Sequence, residues 1–157
     1  MTLVTAWQNA IWRIEALTPT ESAIVAEPFD YVDSERLDPA TLRHRSFSVQ
    51  WDGSDEDAAP TDLYDRFAQH RMTLSVFYRV GVGGLRVEDA HKAFLSDRHD
   101  ILRCLRDPGK FDGYDDSNTA TVTGLEDRRR EEDELIQQPN VWIYRARWAC
   151  KVRETEY

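Results

Sequence analysis

The chain has 157 residues, room for one domain of ordinary size spanning 1–157 and long enough to bury roughly 70% of its unfolded surface. Hydrophobic residues make up 41%, with five Trp, six Tyr and six Phe among them, which excludes wholesale disorder. The net charge is −9, and that sign argues against wrapping nucleic acid or lying on an anionic membrane, since both need a surplus of Lys and Arg.

Val4, Trp7, Ile11, Ile14 and Leu17 recur every three or four residues, the stripe of an amphipathic helix that Pro19 stops. This start has no basic segment and is broken by Gln8, Asn9, Arg13 and Glu15, so no secretory signal is expected. No apolar run approaches the ~18 residues of a membrane span, and a soluble, intracellular protein is expected. Residues 18–40 carry Pro19, Pro28 and Pro39 and little periodicity. Ile24–Ala26 and Phe29–Val32 are candidates for short edge strands, and Asp38-Pro39 suggests a helical turn near Ala40–Leu42.

Residues 45–51 alternate, with Phe47, Val49 and Trp51 on one face and Ser46, Ser48 and Gln50 on the other, the pattern of a half-buried strand. The run Asp52 to Asp57 reads as an exposed loop. A second strand sets Met72, Leu74, Val76, Tyr78 and Val80 against Arg71, Thr73, Ser75 and Arg79, with Phe77 interrupting the polar face. Gly81, Gly83 and Gly84 end it. A long helix follows from Val87 through Ala90, Phe94, Ile101, Leu102 and Leu105 to Pro108-Gly109. Thr119–Thr123 reads as a third strand. Val141–Val152 reads as a long fourth one, with Trp142, Tyr144, Ala146, Trp148, Cys150 and Val152 on one face. The order α-β-β-α-β-β predicts the α+β class: an antiparallel, twisted four-stranded sheet with helices packed on one face.

Few residues offer chemistry. Gly81–Gly84 lies between a strand and a helix but lacks dinucleotide or Walker spacing and reads as a flexible turn. His91 and His99 are too far apart on one helix to share a metal, and His44 and His70 complete a set with no zinc spacing; surface or half-buried structural histidines are expected. Cys104 and Cys150 lie in apolar patterns and read as buried thiols. The carboxylates of Asp52–Asp57, and of Asp112, Asp115 and Asp116, lack a calcium-loop register and read as solvated turns. No nucleophile elbow occurs. No catalytic or metal-binding residue is assigned, no cofactor is implied, and the chain is not expected to be an enzyme.

Asp127 to Glu134 is a charged run. As a helix it would pair Arg128 with Glu132 and Arg130 with Glu134; otherwise it reads as a solvated connection or a charged docking loop that includes Arg129. Arg outnumbers Lys 17 to 3, a skew that suits bidentate interface pairs and that coding bias in the source genome also produces.

Three local patterns, in this order of elements, resemble the tail terminator and tail completion proteins of long-tailed bacteriophages. They are the helix Trp7-Gln8-Asn9-Ala10-Ile11-Trp12, the strand Met72–Tyr78 leading through a glycine loop to Asp100–Leu105, and the closing strand Val141–Trp148. The resemblance runs from Thr2 to about Arg153. It implies a virion protein, made in the host cytoplasm, that closes into a homo-oligomeric ring, a hexamer, at the head-proximal end of the tail. Its partners would be the tail tube protein and a head–tail adaptor or neck protein, with DNA passing through the lumen unbound and no membrane involved. Carboxylates lining such a lumen would repel phosphate, and lysines in place of Asp55, Glu56 and Asp57 would then cause DNA retention. A heterologous ring needs two complementary patches. The candidates are an acidic one at Asp52, Asp55, Glu56 and Asp57 and a basic one at Arg145, Arg147 and Lys151, with Arg128, Arg129 and Arg130 as further interface residues. Charge reversal of Arg145 and Arg147 would then block assembly. Another neck ring protein is an alternative within this class; an acidic nucleic-acid mimic that occupies a basic partner is one from a different class.

Overall fold

A computed structural model describes residues 3–33, 42–56, 65–106 and 130–155, with side chains placed for 7–33, 42–53, 70–105 and 133–147. The class is α+β. Helix α1 (Leu3–Glu15) is followed by β1 (Asp30–Tyr31), β2 (Ser46–Glu56), β3 (Asp65–Arg79), α2 (Val87–Arg106), β4 (Arg130–Gln137) and β5 (Val141–Thr155). The strands form one sheet in the order β1-β2-β3-β5-β4.

The sheet has five strands and is mixed, where four antiparallel ones were expected. Two of the five, β1 and β4, are not among those four; β1 runs parallel to β2. The Asp30 N–H donates to Arg45 O at 3.2 Å and the Val32 N–H to Phe47 O at 2.8 Å, while the Tyr31 ring meets Phe47 edge-on at 5.7 Å. Of the two edge candidates, Phe29–Val32 therefore supplies the strand and Ile24–Ala26 does not. The helical turn expected near Ala40–Leu42 falls, but for Leu42, outside the described residues, and the strand expected at Thr119–Thr123 lies wholly outside them.

Two expectations about charged segments are corrected. The acidic run after Trp51 is not a loop: β2 continues to Glu56, with Asp55 paired to Gln69 and Glu56 to Ala68. The register slips at Asp52, between Trp51 and Gly53, and Gly53 sits at φ +131°, which a β-carbon would resist. The described part of the charged run 127–134 is neither helix nor loop. Residues from Arg130 onward form β4, the outer strand of the ladder on β5, and its charges are of the kind that keep an edge strand from pairing indiscriminately.

Rows of paired residues cross the sheet. On the inner face run Phe47–Val76–Tyr144–Leu135 and Val49–Leu74–Ala146–Asp133. Ile11 and Ile14 of α1 and Ala90, Ala93, Ile101 and Leu105 of α2 join these apolar residues in one core cluster. Burying each large aliphatic or aromatic side chain there contributes about 1.5–3 kcal/mol. The outer face carries Ser46–Phe77–Ile143–Ile136 and Ser48–Ser75–Arg145–Glu134. Ser46 and Ser48, expected toward solvent, are buried along with Phe77; the turn at 43–46 folds back there, the Arg43 N–H donating to Ser46 Oγ at 3.2 Å.

Trp51 was expected on the buried face, yet it is 51% exposed. Its indole N–H donates to Nδ1 of His70 at 3.1 Å. Trp7 closes a gap in the sheet edge: beyond the short β1, its indole N–H donates to Val49 O at 2.8 Å.

Candidate functional site

Among the described residues, a concentrated polar arrangement lies inside the core, and it begins with a backbone irregularity. Arg45 stands immediately before β2 at φ +61°, a left-handed conformation uncommon for a residue with a β-carbon. That geometry aims the side chain inward, where it is fully buried. Nε donates to Asp97 Oδ2 at 2.9 Å and Nη2 to Asp97 Oδ1 at 3.0 Å. Nη1 donates to Val25 O at 2.6 Å and Glu27 O at 2.9 Å, and Nη2 also donates to Glu21 O at 2.6 Å. All five N–H groups of the guanidinium are engaged. The Tyr78 hydroxyl donates to Asp97 Oδ2 at 2.7 Å, and the Phe29 ring lies 5.6 Å from the guanidinium carbon.

This centre ties four parts of the chain together: the irregular 21–27 segment, the start of β2, β3 through Tyr78, and α2 through Asp97. Burial pushes the Asp97 carboxyl above its usual range, against the hydrogen bonds from Arg45 and Tyr78 that favour its charge. Burial, with Asp97 alongside, pushes the Tyr78 phenol well up. Asp97, Arg45 and Tyr78 have essentially no solvent contact, so the group is a structural anchor with no access for a substrate. Sequence reasoning missed it. The available signal was an aspartate within the apolar stripe of α2, four residues after Ala93 and four before Ile101.

A second inward carboxylate, Asp133 of β4, accepts from Arg98 Nε of α2 and from the Tyr144 hydroxyl at 3.3 Å. The Asp133 hydrogen bond raises the Arg98 pKa. Here too the chemistry fastens a helix to the sheet.

Of the residues singled out as interface candidates, Arg145 and Arg147 stand on the outer face. Arg145 lies 3.7 Å from Glu134, its partner across the strands. Arg147 stands opposite Thr73 on one side and Glu132 on the other. Thr73 in turn donates its hydroxyl to Asp52. Asp52, Arg145 and Arg147 are thus neighbours on one face of one subunit, and Arg145 has its own carboxylate. Asp55 and Glu56 continue β2, Lys151 continues β5 opposite Gln69, and Arg130 opens β4 opposite Trp148. Asp57, Arg128 and Arg129 lie outside the described residues, as do Asp112, Asp115 and Asp116.

The histidines divide. His44 is half-buried and accepts the Arg79 N–H on Nδ1 at 3.2 Å. His91, exposed, meets Trp142 edge-on at 4.7 Å, and His99 is exposed. His70 is buried, more deeply than expected, because the row it continues faces the core side of β3. Cys104 is half-buried rather than buried; its thiol donates to Arg13 O at 3.4 Å while Arg13 Nη1 donates to Cys104 O at 3.2 Å. Gly81–Gly84 is a turn, as expected, and it is closed by hydrogen bonds. Gly84 N–H donates to Gly81 O at 2.9 Å and Leu85 N–H to Arg79 O at 2.9 Å.

Among the described residues, no three His, Cys, Asp or Glu side chains gather to hold a metal ion, and no helix is long and apolar enough to cross a membrane. No protein-family model matches the chain, and no curated protein matches its sequence.

Proposed function

We propose that the chain is a structural subunit of a phage or phage-derived tail, closing into a ring of the terminator or completion type at the head-proximal end. The observation that carries this reading is the element order. Leaving aside the two-residue β1, the described residues run α-β-β-α-β-β, the layout on which the resemblance to tail terminators rests, with β4 at Arg130–Gln137 rather than at Thr119–Thr123 as the third strand, and with the Met72–Tyr78 strand, the glycine turn and the Asp100–Leu105 helix segment in sequence.

The buried polar groups support the same reading. Arg45, Asp97, Tyr78 and Asp133 fasten helices and an irregular segment to the sheet, which suits a rigid building block. In this role the chain has no catalytic centre and needs no cofactor; its work is done by surfaces that meet other copies, the tail tube and a neck protein. The acidic balance of −9 suits a wall past which DNA moves without sticking.

Tail tube protein polymerised in the presence of the purified, gold-labelled chain tests the assignment. Label at one end of each tube, with tube growth arrested there, is the expected result. Label along the tube walls, or none at all, would overturn it.

A further inference from the structure

Residues 18–28 lead from α1 toward β1 and belong to no helix or strand. They lie along the surface. Of their side chains only Val25 is buried, while Ser22, Ala23, Ala26 and Pro28 stand in solvent. One buried side chain does not offset the entropy of ordering so long a stretch, so the polar ties decide whether it stays in place.

Those ties come from two carboxylates one turn apart on α2. Asp100 accepts from the Thr20 N–H and from the Thr20 hydroxyl, each at 2.9 Å, in a position open to water. Water competes for such bonds, and their net contribution is small. Asp97 acts through Arg45, which it holds by Nε and Nη2. The same guanidinium reaches the carbonyls of Glu21, Val25 and Glu27, in bonds that are buried or partly buried.

The flanking elements are fastened separately. In α1, Trp7 donates to Val49 O and Arg13 Nη1 to Cys104 O. At β1, the N–H groups of Asp30 and Val32 donate to Arg45 O and Phe47 O. Release of residues 18–28 is therefore local. It also leaves the ionic centre assembled: Arg45 keeps both bonds to Asp97, and Asp97 keeps the Tyr78 hydroxyl. The vacated N–H groups turn to water, and no buried charge loses its partner, which is the costly event in such a pair.

We infer that residues 18–28 form a strap that opens as a unit while α1, α2 and the sheet stay folded, and that the Arg45 guanidinium is the latch that keeps it closed. The inference stands apart from the ring reading. Two peptide bonds report on it directly, because the carbonyls that Glu21 and Glu27 lend to Arg45 are the ones a glutamyl-specific protease attacks.

Limited digestion of the full chain with such a protease, with the first cuts mapped by intact mass, tests it. Wild type is compared with Arg45→Lys, Arg45→Met and Asp133→Ala, and circular dichroism checks that each variant folds. Arg45→Lys keeps a charge beside Asp97 but has no fork to span three carbonyls. Asp133→Ala loosens β4 without touching the strap. In wild type, cutting after Glu21 and Glu27 should be slow, and its rate should barely rise with urea below the unfolding midpoint, because a short strap exposes little surface. Either Arg45 variant should be cut at least ~10-fold faster at both bonds, as the open population grows, and Asp133→Ala at an unchanged rate.

A wild-type rate as steep in urea as global unfolding overturns the strap, since the whole fold would then have to open. Cutting as fast as in an unfolded peptide overturns it too, because the segment would not be closed. Rates unchanged in Arg45→Lys, or raised as much by Asp133→Ala, overturn the latch. If Arg45→Met does not fold, wild type in urea and Arg45→Lys decide the matter without it.

Discussion

Arg45 and Asp97 meet side-on through two hydrogen bonds of 2.9 and 3.0 Å, and neither side chain is exposed to solvent. A pair this deep does not by itself mark a stabilising feature, because desolvating both ions offsets much of their attraction. What distinguishes this one is the rest of the guanidinium, which satisfies three carbonyls of a segment that has no ladder of its own.

Asp97→Asn should therefore destabilise the fold by about 3–5 kcal/mol, the usual cost of leaving one buried charge without its partner. Arg45→Met should cost at least as much, since it orphans the carbonyls of Glu21, Val25 and Glu27 as well as Asp97. Urea unfolding midpoints measure both. Two mild variants would show that the centre is not what holds the 21–27 segment.

His44 gives a pH dependence with a definite sign. Burial lowers its pKa below the ordinary 6.5, with Arg79 and Arg45 acting in the same direction and Glu27 opposing them. The unfolded chain then binds more protons than the folded one. Stability from His44 is complete above about pH 6.5 and is lost as pH falls through the folded pKa, when Nδ1 can no longer accept the Arg79 N–H. The advantage of wild type over His44→Gln in urea, about 1 kcal/mol at pH 7.5, should shrink toward pH 5. A gap that is constant or widens would contradict this.

Asp133→Ala should cost about 1–3 kcal/mol, because it leaves the buried Tyr144 hydroxyl without this acceptor. Arg98, partly exposed, can turn to water. Arg145→Ala should change stability by at most ~1 kcal/mol, since its pair with Glu134 is long and half in solvent. Thermal melts of the two variants should differ clearly; equal shifts would contradict the inward position of Asp133 on β4 against the solvent-facing position of Arg145 on β5.

The periodic parts of this fold were legible in the sequence. The stripe from Val87, the alternation of Met72 to Val80 and that of Val141 to Val152 each predict the element found, because burial on one face leaves a period in the residues. β4 was not, since an edge strand with Asp133 turned inward and charges outward shows too little apolar alternation to register as one. β2 beyond Trp51 was hidden in the same way: Asp52 sits at the slip in register, and the backbone pairing of Asp55 and Glu56 with β3 owes nothing to an apolar pattern. Arg45 was invisible for another reason: its partners are carbonyls of residues about twenty positions earlier, and nothing in a sequence announces a carbonyl.

The glycine turn offers an ordered comparison. Gly84→Ala should be the more damaging change, because its new carbon would collide with the Arg79 carbonyl at 2.6 Å. Gly83→Ala meets open space and pays only for its left-handed backbone, about 1–2 kcal/mol. Melting temperatures in the reverse order would mean that the turn closes differently.

Native mass spectrometry of the full chain across a concentration series, with and without magnesium, followed by negative-stain imaging of the largest species, tests the ring most directly. A closed ring with a central hole, six subunits in mass, is the predicted result. A tight dimer that never grows would contradict it.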